Sequence, residues 1–126
     1  MNGYSVEIKE SSKVLTAREK IMYKDTSDAI KLDEATNGQE VVITPVGYAV
    51  LGIHNEKSSD KDYENYLIFD ENGNKYVTGS QSLWDAFMNI YTELVDAGEE
   101  FGWQIKAYRL PSKNYTGKEF LTCSLI

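Results

Sequence analysis

One stretch constrains this chain more than any other. Over residues 83–97, and nowhere else, apolar residues recur at helical spacing for several turns. Leu83, Phe87, Ile90 and Leu94 share a face, and Trp84, Met88, Tyr91 and Val95 widen it. Ser82 is placed to be the N-cap, with Asp85 as an acidic partner in the first turn, and Gly98 stands where a left-handed C′ residue belongs. A helix that is apolar around so much of its circumference must cover a sheet or close a barrel.

The remainder reads as strands. Residues 13–24 form a long alternating run, and residues 39–54 hold another, interrupted by Pro45, where an edge or a bulge is expected. Residues 63–69 and 75–78 flank Asp70-Glu71-Asn72-Gly73-Asn74, in which Asn72-Gly73 signals a hairpin with both residues at positive φ. Residues 101–110 and 118–126 make a second hairpin around the loop 111–117. This order predicts a mostly β fold with one α-helix. An OB-like five-stranded Greek-key barrel has it, with the helix between the third and fourth strands. An open α+β sheet with one covering helix would read the same way.

The chain has 126 residues, 41% of them hydrophobic, enough for one domain spanning 1–126. Tyrosine is abundant, nine against four Phe and two Trp, which suits strands that are half buried. Cys123 is the only cysteine, so no internal disulfide can form. No apolar run reaches the roughly 20 residues of a membrane span, and the N-terminal residues carry no signal-peptide core. The expectation is a cytoplasmic protein without a membrane partner.

The net charge of −7 is unevenly spread. Residues 13–24 set Lys13, Arg18, Lys20 and Lys24 against Glu19, and residues 104–126 set Lys106, Arg109, Lys113 and Lys118 against Glu119. Residues 25–74 carry eleven acids and three lysines. Two partner classes follow. The basic islands suit a polyanion, whereas the acidic middle suits an interaction protein, such as a host-factor inhibitor or a DNA mimic.

Strand alternation assigns faces. Ala49, Leu51 and Ile53 oppose Tyr48, Val50, Gly52 and His54; Leu67 and Phe69 oppose Tyr66. Ile105 and Ala107 oppose Lys106 and Tyr108, while Leu121, Cys123 and Leu125 oppose Lys118, Phe120, Thr122 and Ser124. In the first long run Ile21 and Tyr23 point inward, leaving Lys20, Met22 and Lys24 outward. The outer rows thus collect Tyr48, His54, Tyr66, Tyr108 and Phe120 with Lys20, Lys24, Lys106 and Lys118, joined by Arg109 of the basic C-terminal stretch. Rings interleaved with cations are what single-stranded nucleic acid requires: bases stack on the rings, at about 1–3 kcal/mol each, and cations follow the phosphates.

Catalytic chemistry finds no footing. His54 is the only histidine and has no nucleophile elbow with it. There is no Cys/His ligand cluster for zinc. Asp60, Asp62 and Glu64 lack the glycine and terminal glutamate of a calcium loop. No glycine loop cradles a phosphate. The expectation is a protein that is not an enzyme and uses neither metal nor cofactor.

Read together, the segment from Tyr66-Leu67-Ile68-Phe69-Asp70-Glu71-Asn72-Gly73 through Lys75-Tyr76-Val77-Thr78 to Ser82, the helix, Ile105-Lys106-Ala107, and the close Ser112-Lys113…Gly117-Lys118-Glu119-Phe120 resembles the small single-stranded DNA-binding proteins of phages of Gram-positive bacteria. The resemblance covers roughly residues 41–126. It implies an OB-like barrel, single-stranded DNA binding during phage DNA replication, replication proteins as further partners, and no enzymatic activity. Carried over by position, it places Phe120, Lys113 and Lys118 on the DNA side. Bacterial relatives of that family end in an acidic tail, whereas this chain ends Cys123-Ser124-Leu125-Ile126.

Overall fold

The computed structural model describes residues 3–112 and 117–126. Eight strands and three helices follow in the order β1 (Tyr4–Ser11), α1 (Ala17–Lys24), β2 (Ile30–Lys31), α2 (Leu32–Ala35), β3 (Val41–Ile43), β4 (Pro45–Asn55), β5 (Asp62–Asp70), β6 (Lys75–Thr78), α3 (Gln81–Asp96), β7 (Ile105–Pro111) and β8 (Glu119–Leu125). The molecule is mostly β, and its strands lie in two open sheets. One has the order β1-β4-β5-β6-β2 and the other β3-β7-β8.

Three expectations need correction. The fold has three helices, not one. The run 13–24 is not a strand: residues 17–24 form α1, begun by a capping box in which Thr16 Oγ1 accepts from the Glu19 N–H while Glu19 accepts from the Thr16 N–H. Ile21, expected inward, is exposed on it. And the strands do not form one closed five-stranded sheet, since among the described residues β6 pairs with β5 and β2, and β8 pairs with β7.

The two sheets meet through the chain itself. β3 runs into β4 at Thr44-Pro45, and the β4–β5 register slips between Pro45 and Gly47, the irregularity expected where Pro has no N–H to give. Asp70 holds this bend. Its buried carboxylate accepts from the Thr44 N–H at 2.9 Å and from the Asn72 N–H at 2.7 Å, tying the bend to the β5–β6 turn. In that turn only Gly73, at φ +87°, takes positive φ; Asn72 does not.

α3 lies across the even-numbered face of β4 and β5. Its N-cap is Ser80, whose hydroxyl accepts from the Leu83 N–H; the Ser82 hydroxyl instead donates to the Leu121 carbonyl of β8. Gly98, at φ +87°, ends the helix as expected, with the Gly98 N–H on Val95 and the Glu99 N–H on Leu94. Between α3 and the two sheets sits the larger core, containing Leu83, Trp84, Phe87, Tyr48, Tyr66, Ile68, Ile43, Ile105, Ala107, Leu121 and Cys123. A smaller core lies on the other face of the five-stranded sheet. There Ala49, Leu51, Ile53, Leu67 and Val77 pack with Val6 and Ile8 of β1 and with Tyr23 of α1, which stacks on Phe69 at 4.3 Å. β4 and β5 are therefore buried on both faces.

Candidate nucleic-acid interface

The three-stranded sheet has one dry face and one wet face. Ile43, Ile105, Ala107, Leu121 and Cys123 point into the core. The alternate residues point out, and the register puts Lys106 between Val42 and Ser124, Tyr108 beside Thr122, and Leu110 beside Phe120. Val42, Leu110 and Phe120 are exposed at 53%, 40% and 39%. The Lys106 ammonium sits 5.5 Å from the centre of the Tyr108 ring and 3.6 Å from a Glu40 carboxylate oxygen. The Tyr108 hydroxyl lies 2.6 Å from Ser124 Oγ, which holds the ring down along the sheet. Lys118 is exposed just before β8.

Of the residues singled out by sequence, this face brings together Lys106, Tyr108 and Phe120, with Lys118 immediately before β8. Lys113 lies outside the described residues. The others sit elsewhere, each for a physical reason.

Tyr48 and Tyr66 were expected outward and are core residues. Tyr66 lies parallel to Trp84 at 4.8 Å and 10°, and its hydroxyl donates to Gln81 Oε1 at 2.8 Å. Tyr48 meets Trp84 and Tyr91 edge-on at 5.5 and 5.0 Å and donates to Glu10 at 2.7 Å; burial, then that carboxylate, push its hydroxyl pKa upward. The alternation is right about which residues share a face, but α3 covers the face that was taken as open. A tyrosine with its hydroxyl satisfied packs as well as a phenylalanine.

Lys20 and Lys24 belong to α1, which packs through Tyr23 on the opposite side of the five-stranded sheet from the β3-β7-β8 face. Arg109 points toward α2. Its guanidinium donates to the Thr36 hydroxyl at 3.2 Å and to the Asp33 carbonyl, so it fastens α2 to β7. His54 stands at the far end of β4 with Nδ1 2.7 Å from Asp62 and Nε2 2.7 Å from Glu56. The Asp62 bond first, then the Glu56 bond, raises its pKa.

Val42 and Leu110 complete the exposed surface and were not singled out. Leu110 was legible, because it continues the row Lys106, Tyr108. Val42 lies between two inward-looking residues, Val41 and Ile43, in a run apolar on both sides, where period alone cannot choose a face. Among the described residues no group of three or more His, Cys, Asp or Glu side chains is arranged to hold a metal ion, and no helix is long and apolar enough to cross a membrane. No protein-family model, no curated protein and no solved structure matches the chain.

Proposed function

We propose that this protein binds single-stranded DNA on the outer face of its three-stranded sheet, without reading sequence and without catalysis. One observation carries the reading: the exposed ring of Phe120 and the half-buried ring of Tyr108 share a face with Lys106, flanked by exposed Val42 and Leu110, and exposed Lys118 stands just before β8. Bases would stack on the rings and apolar side chains while the two lysines meet phosphates. The strand path supports an OB-like variant of the fold: β6-β5-β4, a bend at Thr44 into β3, then β7-β8, with α3 between β6 and β7. The resemblance of residues 41–126 to small phage single-stranded DNA-binding proteins points the same way and suggests a place in phage DNA replication.

The net charge of −7 limits how far general electrostatics can help. Affinity would come mainly from stacking, with a shallow salt dependence set by the few cations on the face. The test is a fluorescence titration with oligo-dT at low and moderate salt. Binding is expected at low salt. Phe120→Ala and Tyr108→Ala should each weaken it by about 5- to 150-fold, corresponding to the loss of about 1–3 kcal/mol of stacking per base, with the thermal melt little changed. Tyr66→Ala should instead lower stability by about 3–5 kcal/mol, as removal of a buried aromatic does. An absence of binding at low salt would sink the proposal. Capture of a host protein with no oligonucleotide retained would favour the acidic interaction reading.

A further inference from the structure

Two exposed patches of opposite charge lie on separate helices, and neither is neutralised by an ion pair among the described residues. α1 carries Arg18, Lys20 and Lys24, and among the described residues none of their three side chains has an ion-pair or hydrogen-bond partner. Lys20 and Lys24 are one turn apart, with Ile21 beside them. Ile21 is 71% exposed and Met22 64%, and α1 has no buried residue at all. A helix held at its ends, with apolar and cationic side chains turned to water, is an unpartnered docking face. Its ends are held by the Thr16–Glu19 capping box and by the Lys75 ammonium, which donates to the carbonyls of Met22 and Asp25.

The complementary place is the end of α3. Glu93 and Asp96 lie exposed in its last turn, where no cation is present, and Glu99 and Glu100 follow. Carboxylates at a helix C-terminus face the negative end of the helix dipole, so this arrangement is repulsive in the isolated molecule. Among the described residues none of the four carboxylates is ion-paired. The segment is nonetheless rigidly placed: the Trp103 indole N–H lies 3.2 Å from the carbonyls of both Glu99 and Glu100, and Phe101 packs between Tyr91 and Trp103. Val95 is exposed beside the acids.

From these two faces we infer that copies of this protein associate head to tail, α1 of one copy docking on the C-terminal end of α3 of the next. A polyanion could also meet the cations of α1. The exposed Ile21 and Met22 favour a protein surface, however, and the chain itself supplies an acidic surface with an apolar residue in it. α1 and the end of α3 are different patches, so the contact is heterologous and propagates into rings or open chains rather than stopping at a dimer. The inference is independent of strand binding by the β3-β7-β8 face.

Sedimentation velocity on the full chain tests it. At about 0.01 M salt, where charges act over about 30 Å, the mass should rise with concentration above the 14.3 kDa monomer. Near 1 M salt, where that reach falls to about 3 Å, it should return to monomer. Lys20→Gln/Lys24→Gln and Glu93→Gln/Asp96→Gln change only exposed side chains and should each be folded and monomeric. Mixed one to one they should form a heterodimer and nothing longer, because each keeps one intact half of the contact. A wild-type chain that stays monomeric at low salt overturns the inference, even if it retains oligo-dT through Lys20 and Lys24. So do variants that assemble like the wild type, or a mixture that does not pair.

Discussion

At the scale of single residues, His54 shows how local chemistry settles what a lone histidine does. Both ring nitrogens are 2.7 Å from carboxylate oxygens, and only the doubly protonated ring can donate to both at once. The ring is thus tuned to hold a proton, the opposite of what a catalytic base needs. Its pKa lies above the ordinary 6.5. Its contribution to stability is therefore complete below that pH and is lost as pH rises through the raised value. NMR titration of the ring protons should give a midpoint above 6.5 in the wild type, falling toward it in Asp62→Asn and less steeply in Glu56→Gln. A wild-type midpoint at or below 6.5 would contradict the geometry. Tyr48 and Tyr66 show the limit of reading residues one at a time. Alternation places them on one face with Val50, but whether that face is wet depends on α3, a separate element well downstream in the chain. The width of the α3 stripe was the available signal, since Trp84 and Tyr91 require a sheet face able to receive rings.

At the scale of elements, β3 through β8 were legible because their patterns are local. β6 at Lys75–Thr78, the break at Pro45 and the Gly98 terminus all follow from residues in place. α1 was misread because its apolar residues lack any moment toward a core and its alternation over 13–24 mimics a strand. The overlooked signal was Thr16-Ala17-Arg18-Glu19, a capping box that stabilises a helix start whatever the face pattern. β1 carries an alternating Val6 and Ile8 and was also missed, being short of apolar residues at an edge. No periodicity reveals the part Asp70 plays, because it joins two elements: the β3–β4 bend through Thr44 and the β5–β6 turn through Asn72. Asp70→Ala strands both N–H groups and should cost about 3–6 kcal/mol, since hydrogen bonds to a charged group contribute about 1.5–3 kcal/mol each. Chemical denaturation would measure it. Asp70→Asn, which keeps an acceptor, should recover part of the loss. A loss below about 0.5 kcal/mol in Asp70→Ala, the range of an ordinary surface substitution, would show that the bend does not depend on this carboxylate.

At the scale of the molecule, the two-sheet arrangement was not legible, because it depends on β3 and β4, separated only by Thr44, lying in different sheets and on β2, a two-residue strand, pairing parallel to β6. Such short pairings carry too little pattern to be seen in sequence. The larger core nevertheless makes a measurable claim about how the parts depend on one another. Cys123 is buried where β8 meets α3, its sulfur 3.9 Å from the Leu83 carbonyl, and burial pushes its thiol pKa up to about 12. In the folded state it is both inaccessible and protonated, and the thiolate is the reactive species. Reagent reaches it only if the three-stranded sheet parts from α3, which would open the core shared by Phe87, Trp84, Tyr48 and Ile105. If that core holds the sheets together as one cooperative unit, the free energy of opening obtained from disulfide-exchange labelling of Cys123 should equal the global unfolding free energy from denaturation, and both should fall together in Tyr66→Ala. Labelling that is fast in native buffer, or that is unmoved by Tyr66→Ala, would mean the β7–β8 hairpin opens alone. The proposed strand-binding face would then rest on a mobile element, not on a platform fixed by the core.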